Sequence, residues 1–353
     1  MEKTWVKPQP LPQEEMTIQE HLEDRLKNTS KYTPSNEDSK IIKYEGIETF
    51  IYRKLTSTKF RKTSVDSDSE KRVKKAIHLN VSNNSPIKLT YPFGAYKIWR
   101  VPTYPKVDWA EFLTISYVCR YVAPILAAYK PGAEITFSSD DVVIELIDNY
   151  PRKDLDAYVS SFRELLAAFG NYFPENLKVE LKQVVPDIYS LSDYNKELKE
   201  LFSILKATGL SEERKVKLRK AFEFNFQRKG KDDLTSDLDY QKALDDLMIY
   251  SEVYLQLTKR RAFVRGEDKV VLFSQKIPNA LDIGSTSVSK AKFWVGMGVL
   301  EQAEGKFYDR IMTPKQWEEN KTKVKWVNTS LIALPNFEKI PVFNERFNFL
   351  KSE

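Results

Sequence analysis

The stretch DWAEFLTISYVCRYVAPILAAYKPGAEITFSSDDVVIEL, residues 108–146, decides the fold class. Asp108 takes an N-cap position, and Phe112, Ile115, Val118, Cys119 and Val122 then recur at helical spacing. Pro124 is expected to kink or restart this helix, which closes near Tyr129 before the punctuation of Pro131 and Gly132. Residues 135–138 and 142–146 read as two short strands around the turn Ser139-Asp140-Asp141.

Working outward, Ile87, Leu89 and Tyr91 alternate with period two before Gly94, so a strand precedes the helix. The chain then continues extended through Lys97 and Trp99 until Pro102 and Pro105. Residues 67–77 read as helix and 77–81 as strand. Downstream, Leu155, Tyr158, Phe162, Leu165 and Leu166 line one side of a helix over 154–169, and 177–184 returns to strand. Charged helical stretches at 194–226 and 238–259 form an insertion at about 190–260, and strands at 269–273 and 293–299 follow. Alternation of this kind gives an α/β fold with a mixed sheet, flanking helices and a helical insertion. Residues 1–40, with Pro8, Pro10 and Pro12, read as a flexible arm carrying a short helix whose capping box is Thr17 and Glu20. Residues 41–353 read as one domain.

Composition narrows the chemistry. The 353 residues carry 56 Lys+Arg against 50 Asp+Glu, a net charge of +6, with 41% hydrophobic and 12% aromatic residues. That is enough apolar material for a core. Cys119 is the one cysteine, which excludes a disulfide framework or a Cys-based metal site, and the two histidines, His21 and His78, both lie early. No resident metal or cofactor is expected, although in their turn Asp140 and Asp141 could share an ion or divide acid and base roles. The polar start is unlike a signal peptide and no apolar run of ~20 residues stands out, so a cytoplasmic protein without membrane contact is expected. The basic run of Arg53, Lys54, Lys59, Arg61, Lys62, Lys71, Arg72, Lys74 and Lys75 reads as a solvated face. No Walker loop occurs, and Gly296 and Gly298 lack the third glycine of a dinucleotide motif.

Three constellations are left to carry chemistry. Ser139 and Asp140 occupy the turn after a strand, where open α/β sheets bind ligands, and Asp140 is the better acid–base candidate beside Asp141. In the run 93–100, alternation pairs Lys97 with Trp99, while Arg100 faces the other way; a lysine beside an aromatic wall can attack a carbonyl or pair with an anion. The loop Asp282-Ile283-Gly284-Ser285-Thr286-Ser287 with Lys290 combines glycine, hydroxyls and positive charge, which suits a phosphate. Arg260 and Arg261 could complete that anion pocket.

Residues 92–166 also carry a resemblance. The lysine-bearing strand, Asp108-Trp109-Ala110-Glu111, Tyr129-Lys130-Pro131-Gly132-Ala133, the Ser138-Ser139-Asp140 turn and the helix with Tyr158 and Leu165 resemble the pyoverdine/dityrosine biosynthesis family, which includes the isocyanide synthases. The resemblance implies a Rossmann-like fold and a metal-independent transferase chemistry. There an amino acid's amine becomes an isocyanide, with the carbon drawn from a pentulose phosphate. It also implies that Lys97 matches the family's strand lysine, and Ser139 and Asp140 its Ser-Asp turn. The expected function is therefore a small-molecule biosynthetic enzyme using an amino acid or related amine and a phosphorylated sugar. The alternative is a non-catalytic protein that binds nucleic acid or another protein through residues 53–75.

Overall fold

Strands β1 (Ile87–Phe93), β2 (Ala133–Ser139), β3 (Leu177–Gln183), β4 (Lys269–Phe273) and β5 (Leu281–Asp282) pair in the order β3-β2-β1-β4-β5, every pair parallel. The computed structural model describes residues 17–94, 96–97, 101–148, 150–228 and 238–347. β1 and β2 are buried along nearly their whole length, which is why they read as continuous apolar runs. From β1 the chain winds to β2 and β3 on one side, then returns to β4 and β5 on the other. The winding reverses between β1 and β4, and all five carboxyl ends share one rim.

Helices surround this sheet. α1 (Ile18–Lys27), α2 (Asn36–Glu45), α3 (Ile47–Leu55) and α4 (Ser67–Ser82) precede β1; α5 (Trp109–Ala128) lies between β1 and β2. α6 (Asp141–Asp148) and α7 (Arg152–Gly170) follow β2, and α8 (Leu191–Thr208), α9 (Glu212–Arg228), α10 (Leu238–Gln256) and α11 (Thr258–Arg265) make up the insertion after β3. A second sheet comes last, from β6 (Met297–Ala303), β7 (Lys306–Met312), α12 (Pro314–Asn320), β8 (Lys325–Asn328) and β9 (Lys339–Phe343), in the strand order β7-β6-β9-β8. The fold is a Rossmann-like α/β fold. Mixed pairing, expected of the main sheet, belongs instead to the second one, where β6 runs antiparallel to β7 and parallel to β9.

Three local expectations change. Residues 142–146 are helix, because Ile144 and Ile147 are both buried three apart on α6. Residues 77–81 continue α4 rather than forming a strand. α5 runs through Pro124 without a break and is buried on nearly every side. It is long and apolar enough to cross a membrane, but 89% of its most apolar window is buried within the protein, the signature of a core helix.

Residues 17–40, expected as arm, are folded against the body. The capping box of Thr17 and Glu20 starts α1, as the sequence implies. His21 Nε2 then lies 2.7 Å and Arg25 Nε 2.6 Å from the buried Asp309 carboxylate of β7. Burial works against that carboxylate, yet the bond from His21 and the charges of Arg25 and His21 outweigh it and hold its pKa at about 2.

One buried ion cluster ties the two sheets together. Lys97 is wholly inaccessible, and its Nζ lies 2.9 Å from Glu111 Oε1 and 3.2 Å from Asp108 Oδ2. The same ammonium donates to the carbonyls of Phe293 and Gly296, at 3.0 and 2.7 Å. Asp108 caps α5 and also accepts from the Gly298 amide of β6 at 3.2 Å, while Tyr158 of α7 donates to Glu111 at 2.8 Å. Burial pushes the Glu111 pKa up to about 7 and Asp108 adds to this, against the opposing pull of Lys97.

Two outcomes follow from this packing. A β-carbon at Gly298 would stand 2.1 Å from the Trp109 carbonyl carbon and 2.2 Å from the Ala110 nitrogen. Gly298→Ala should therefore cost about 1–3 kcal/mol or more, read as a lowered midpoint in urea. The Asp309 pKa is depressed from 3.8, so its contribution is present above that ordinary value and fades as pH falls toward 2. The stability gap between wild type and Asp309→Asn should narrow between pH 4 and 2; a gap independent of pH would contradict the assignment.

Candidate active site at the carboxyl rim

Asp140 directly follows β2, and its amide donates to the Phe93 carbonyl at the end of β1, at 2.9 Å. Its side chain turns toward the insertion. Tyr254 Oη of α10 donates to Asp140 Oδ1 at 2.6 Å, and Arg260 Nη2 of α11 reaches Oδ1 and Oδ2 at 3.1 and 3.4 Å. The Arg260 guanidinium carbon sits 4.3 Å from the centre of the Tyr254 ring. Val184, Tyr189, Val253 and Leu257 form an apolar core within the insertion that fixes both residues. Burial alone would weaken the Arg260 charge, but Asp140 and Tyr254 more than compensate and raise its pKa above the ordinary value. Burial, then the Asp140 charge, pushes the Tyr254 phenol well above its usual range.

This group is short of acceptors. Arg260 Nε and Tyr194 Oη are both buried and donate to no protein atom. The Arg265 guanidinium is close enough to Arg260, Arg72 and Arg261 for their charges to lower its pKa further, beyond the effect of burial. Unused donors and converging guanidiniums make a place for an acceptor-rich, anionic group.

Asp140 and its neighbour diverge. Asp141 is buried, with Gln183 Nε2 at 2.9 Å, the Ser139 hydroxyl at 3.1 Å and Arg152 Nη2 at 3.4 Å. Burial raises the Asp141 pKa, with Gln183 and Arg152 opposing. The pair therefore does not converge on one ion, and no cluster of three metal-ligating side chains occurs among the described residues. Ser139 orients Asp141 in this arrangement.

At the reversal between β1 and β4 lies a second polar group, of opposite need. The Tyr91 hydroxyl faces Ser274 and Ser285, and its pKa is raised by burial and by the nearby Asp282 charge. Both Asp282 oxygens and the hydroxyls of Tyr91, Ser274 and Ser285 are buried without a protein hydrogen-bond partner. Lys290 Nζ stands 4.0 Å from Asp282 Oδ2.

The loop read as a phosphate cradle is closed. The amides of Ser285 and Thr286 both donate to the Ser289 carbonyl, at 3.1 and 3.3 Å. The Thr286 hydroxyl donates to the Asp309 carbonyl, and the exposed Ser287 offers its carbonyl to Lys62 Nζ at 2.6 Å. The Ser285 and Thr286 amides are thus turned away from a ligand, while the buried Ser285 hydroxyl has no protein partner. Lys97, expected at the rim, is instead the inaccessible ammonium of the ion cluster, surrounded by acceptors. Arg261 is exposed one residue beyond Arg260, while Trp99 and Arg100 lie outside the described residues.

Tyr91, Tyr194, Tyr254 and Ser274 carried no signal in the sequence, since aromatics in core strands and charged helices are the common case. Asp282 stood only as the first residue of a loop. The basic run is largely spoken for: Arg53 pairs with Glu45, Lys54 with Asp38, Lys74 with Glu70 and Lys75 with Glu267. Arg72 donates to the Arg265 and Gly266 carbonyls.

No family model and no curated protein matches this sequence. Among solved structures, the crystal structure of the PvcA protein from Pseudomonas aeruginosa is similar, with a TM-score of 0.57 and 18% identity. The match covers 84% of this chain and 99% of that one. At this identity the likeness is one of fold: the chain shares the architecture of the PvcA protein across most of its length.

Proposed function

We propose that the protein is a small-molecule biosynthetic enzyme of the isocyanide synthase type, converting an amino acid or related amine with a sugar phosphate as carbon source. The observation that carries this reading is the Asp140–Tyr254–Arg260 group at the carboxyl end of β2, next to unused buried donors. The family resemblance of residues 92–166 and the fold shared with PvcA support the same reading.

In this reading Arg260 Nε and Tyr194 Oη bind the anionic end of a substrate, phosphate or carboxylate. Asp140 is the proton acceptor, held in place by Tyr254 and Arg260 while its remaining lone pairs face the ligand. The basic 53–75 region is not part of this reading; several of its side chains pair with carboxylates of the same chain at the surface.

The test is turnover of amino acids with a pentulose phosphate, followed by mass spectrometry for gain of a carbon and loss of the amine hydrogens. Asp140→Asn should lower turnover per folded molecule roughly a hundredfold or more, and should also lower the unfolding midpoint, because the buried Arg260 loses its counter-charge. Tyr254→Phe should give a smaller loss. Wild-type turnover in Asp140→Asn would remove this assignment, and no conversion by the wild type with any amino acid would remove the reaction class.

A further inference from the structure

We propose that Asp282, with the hydroxyls of Tyr91, Ser274 and Ser285, binds the ammonium group of an organic amine. Asp282 pairs with Phe273 at the end of β4, and Tyr91 links the group: its hydroxyl faces Ser274 and Ser285 and lies within reach of the Asp282 charge. Tyr91 rises from β1 across the reversal point, and Ser285 comes from the turn after β5. Four side chains from separate segments thus converge where an open α/β sheet places its ligand crevice.

Their chemistry is one-sided. A carboxylate only accepts hydrogen bonds, and each hydroxyl has more acceptor than donor capacity. Both carboxylate oxygens are buried and accept nothing from the protein. Asp282 is 4% exposed, so solvent does little to satisfy it. The Tyr91 ring packs against Phe137, Phe273 and Phe293, with centroids 5.7, 6.4 and 5.6 Å away, so the surroundings are apolar. An unsatisfied carboxylate in such a place is expensive, and a compact cation with several N–H donors removes the expense. An anion would be repelled. Lys290 Nζ, at 4.0 Å and on a side chain 43% exposed, is too far for a hydrogen bond and leaves those oxygens unmet.

The inference does not need the proposed reaction. Where that reading holds, the substrate's amine sits at Asp282, on the opposite side of the β1 end from the Arg260 donors. Amine binding without turnover would leave this inference standing and remove only the reaction.

Thermal unfolding of the full chain tests it, with ethanolamine hydrochloride as probe and sodium chloride and ethylene glycol as matched controls. Ethanolamine should raise the wild-type midpoint to a saturating plateau of several degrees, and neither control should. Asp282→Asn should raise the midpoint of the free protein by relieving a buried charge whose oxygens accept no hydrogen bond and whose nearest ammonium stands 4.0 Å away, and should abolish the ethanolamine shift. Ser285→Ala should keep the fold and weaken the apparent affinity several-fold. A shift of equal size with sodium chloride, no shift with ethanolamine, or an Asp282→Asn protein less stable than wild type would overturn the proposal, leaving a structural cluster only.

Discussion

A buried ammonium needs acceptors on every side; the Lys97 side chain finds them in two parts of the chain, and two more brace the carboxylates among them. The first turn of α5 supplies Asp108 and Glu111, and the Phe293–Gly296 segment supplies two carbonyls. β6 enters through the Gly298 amide on Asp108, and α7 through the Tyr158 hydroxyl on Glu111. Removing one partner from such a cluster leaves an uncompensated charge in the interior, so its members stand or fall together. This constraint fixes how the second sheet meets the first, and it places the 281–296 segment against the carboxyl rim.

That rim then sorts its polar groups by need. On the side of the insertion, Arg260 and Tyr194 hold unused donors around Asp140. At the reversal between β1 and β4, Asp282 and its neighbouring hydroxyls hold unused acceptors. The two groups thus differ in sign of need: one side offers donors, the other acceptors.

How much of this is legible in the sequence depends on the range of the forces involved. α5, α7, β1, β2 and β3 are written in local period, and the capping boxes at Thr17 and Asp108 in single side chains. The run 142–146 is too short for period to separate helix from strand, and only Ile147, one step further, tips it to helix. Of the second sheet only β6 is glimpsed, in the strand read at 293–299; the structure starts it at Met297, residues 293–296 being a turn segment, and β7, β8 and β9 show no clear local period. Asp140 and Arg260 are found as residue types suited to a rim, yet their meeting across 120 positions is a property of the fold. Lys97 shows the limit most clearly: lysine in an extended segment reads as exposed or reactive, and nothing local reveals the acceptors that surround it.

The most direct test of this account is the equilibrium stability of Lys97→Met, which keeps the side chain's bulk and removes its charge. If the ammonium holds α5, α7 and the second sheet together, the variant should lose about 3–5 kcal/mol in urea, with turnover falling in proportion to the unfolded fraction. An unchanged unfolding midpoint, with activity alone abolished, would show that Lys97 acts on substrate and contradict the account.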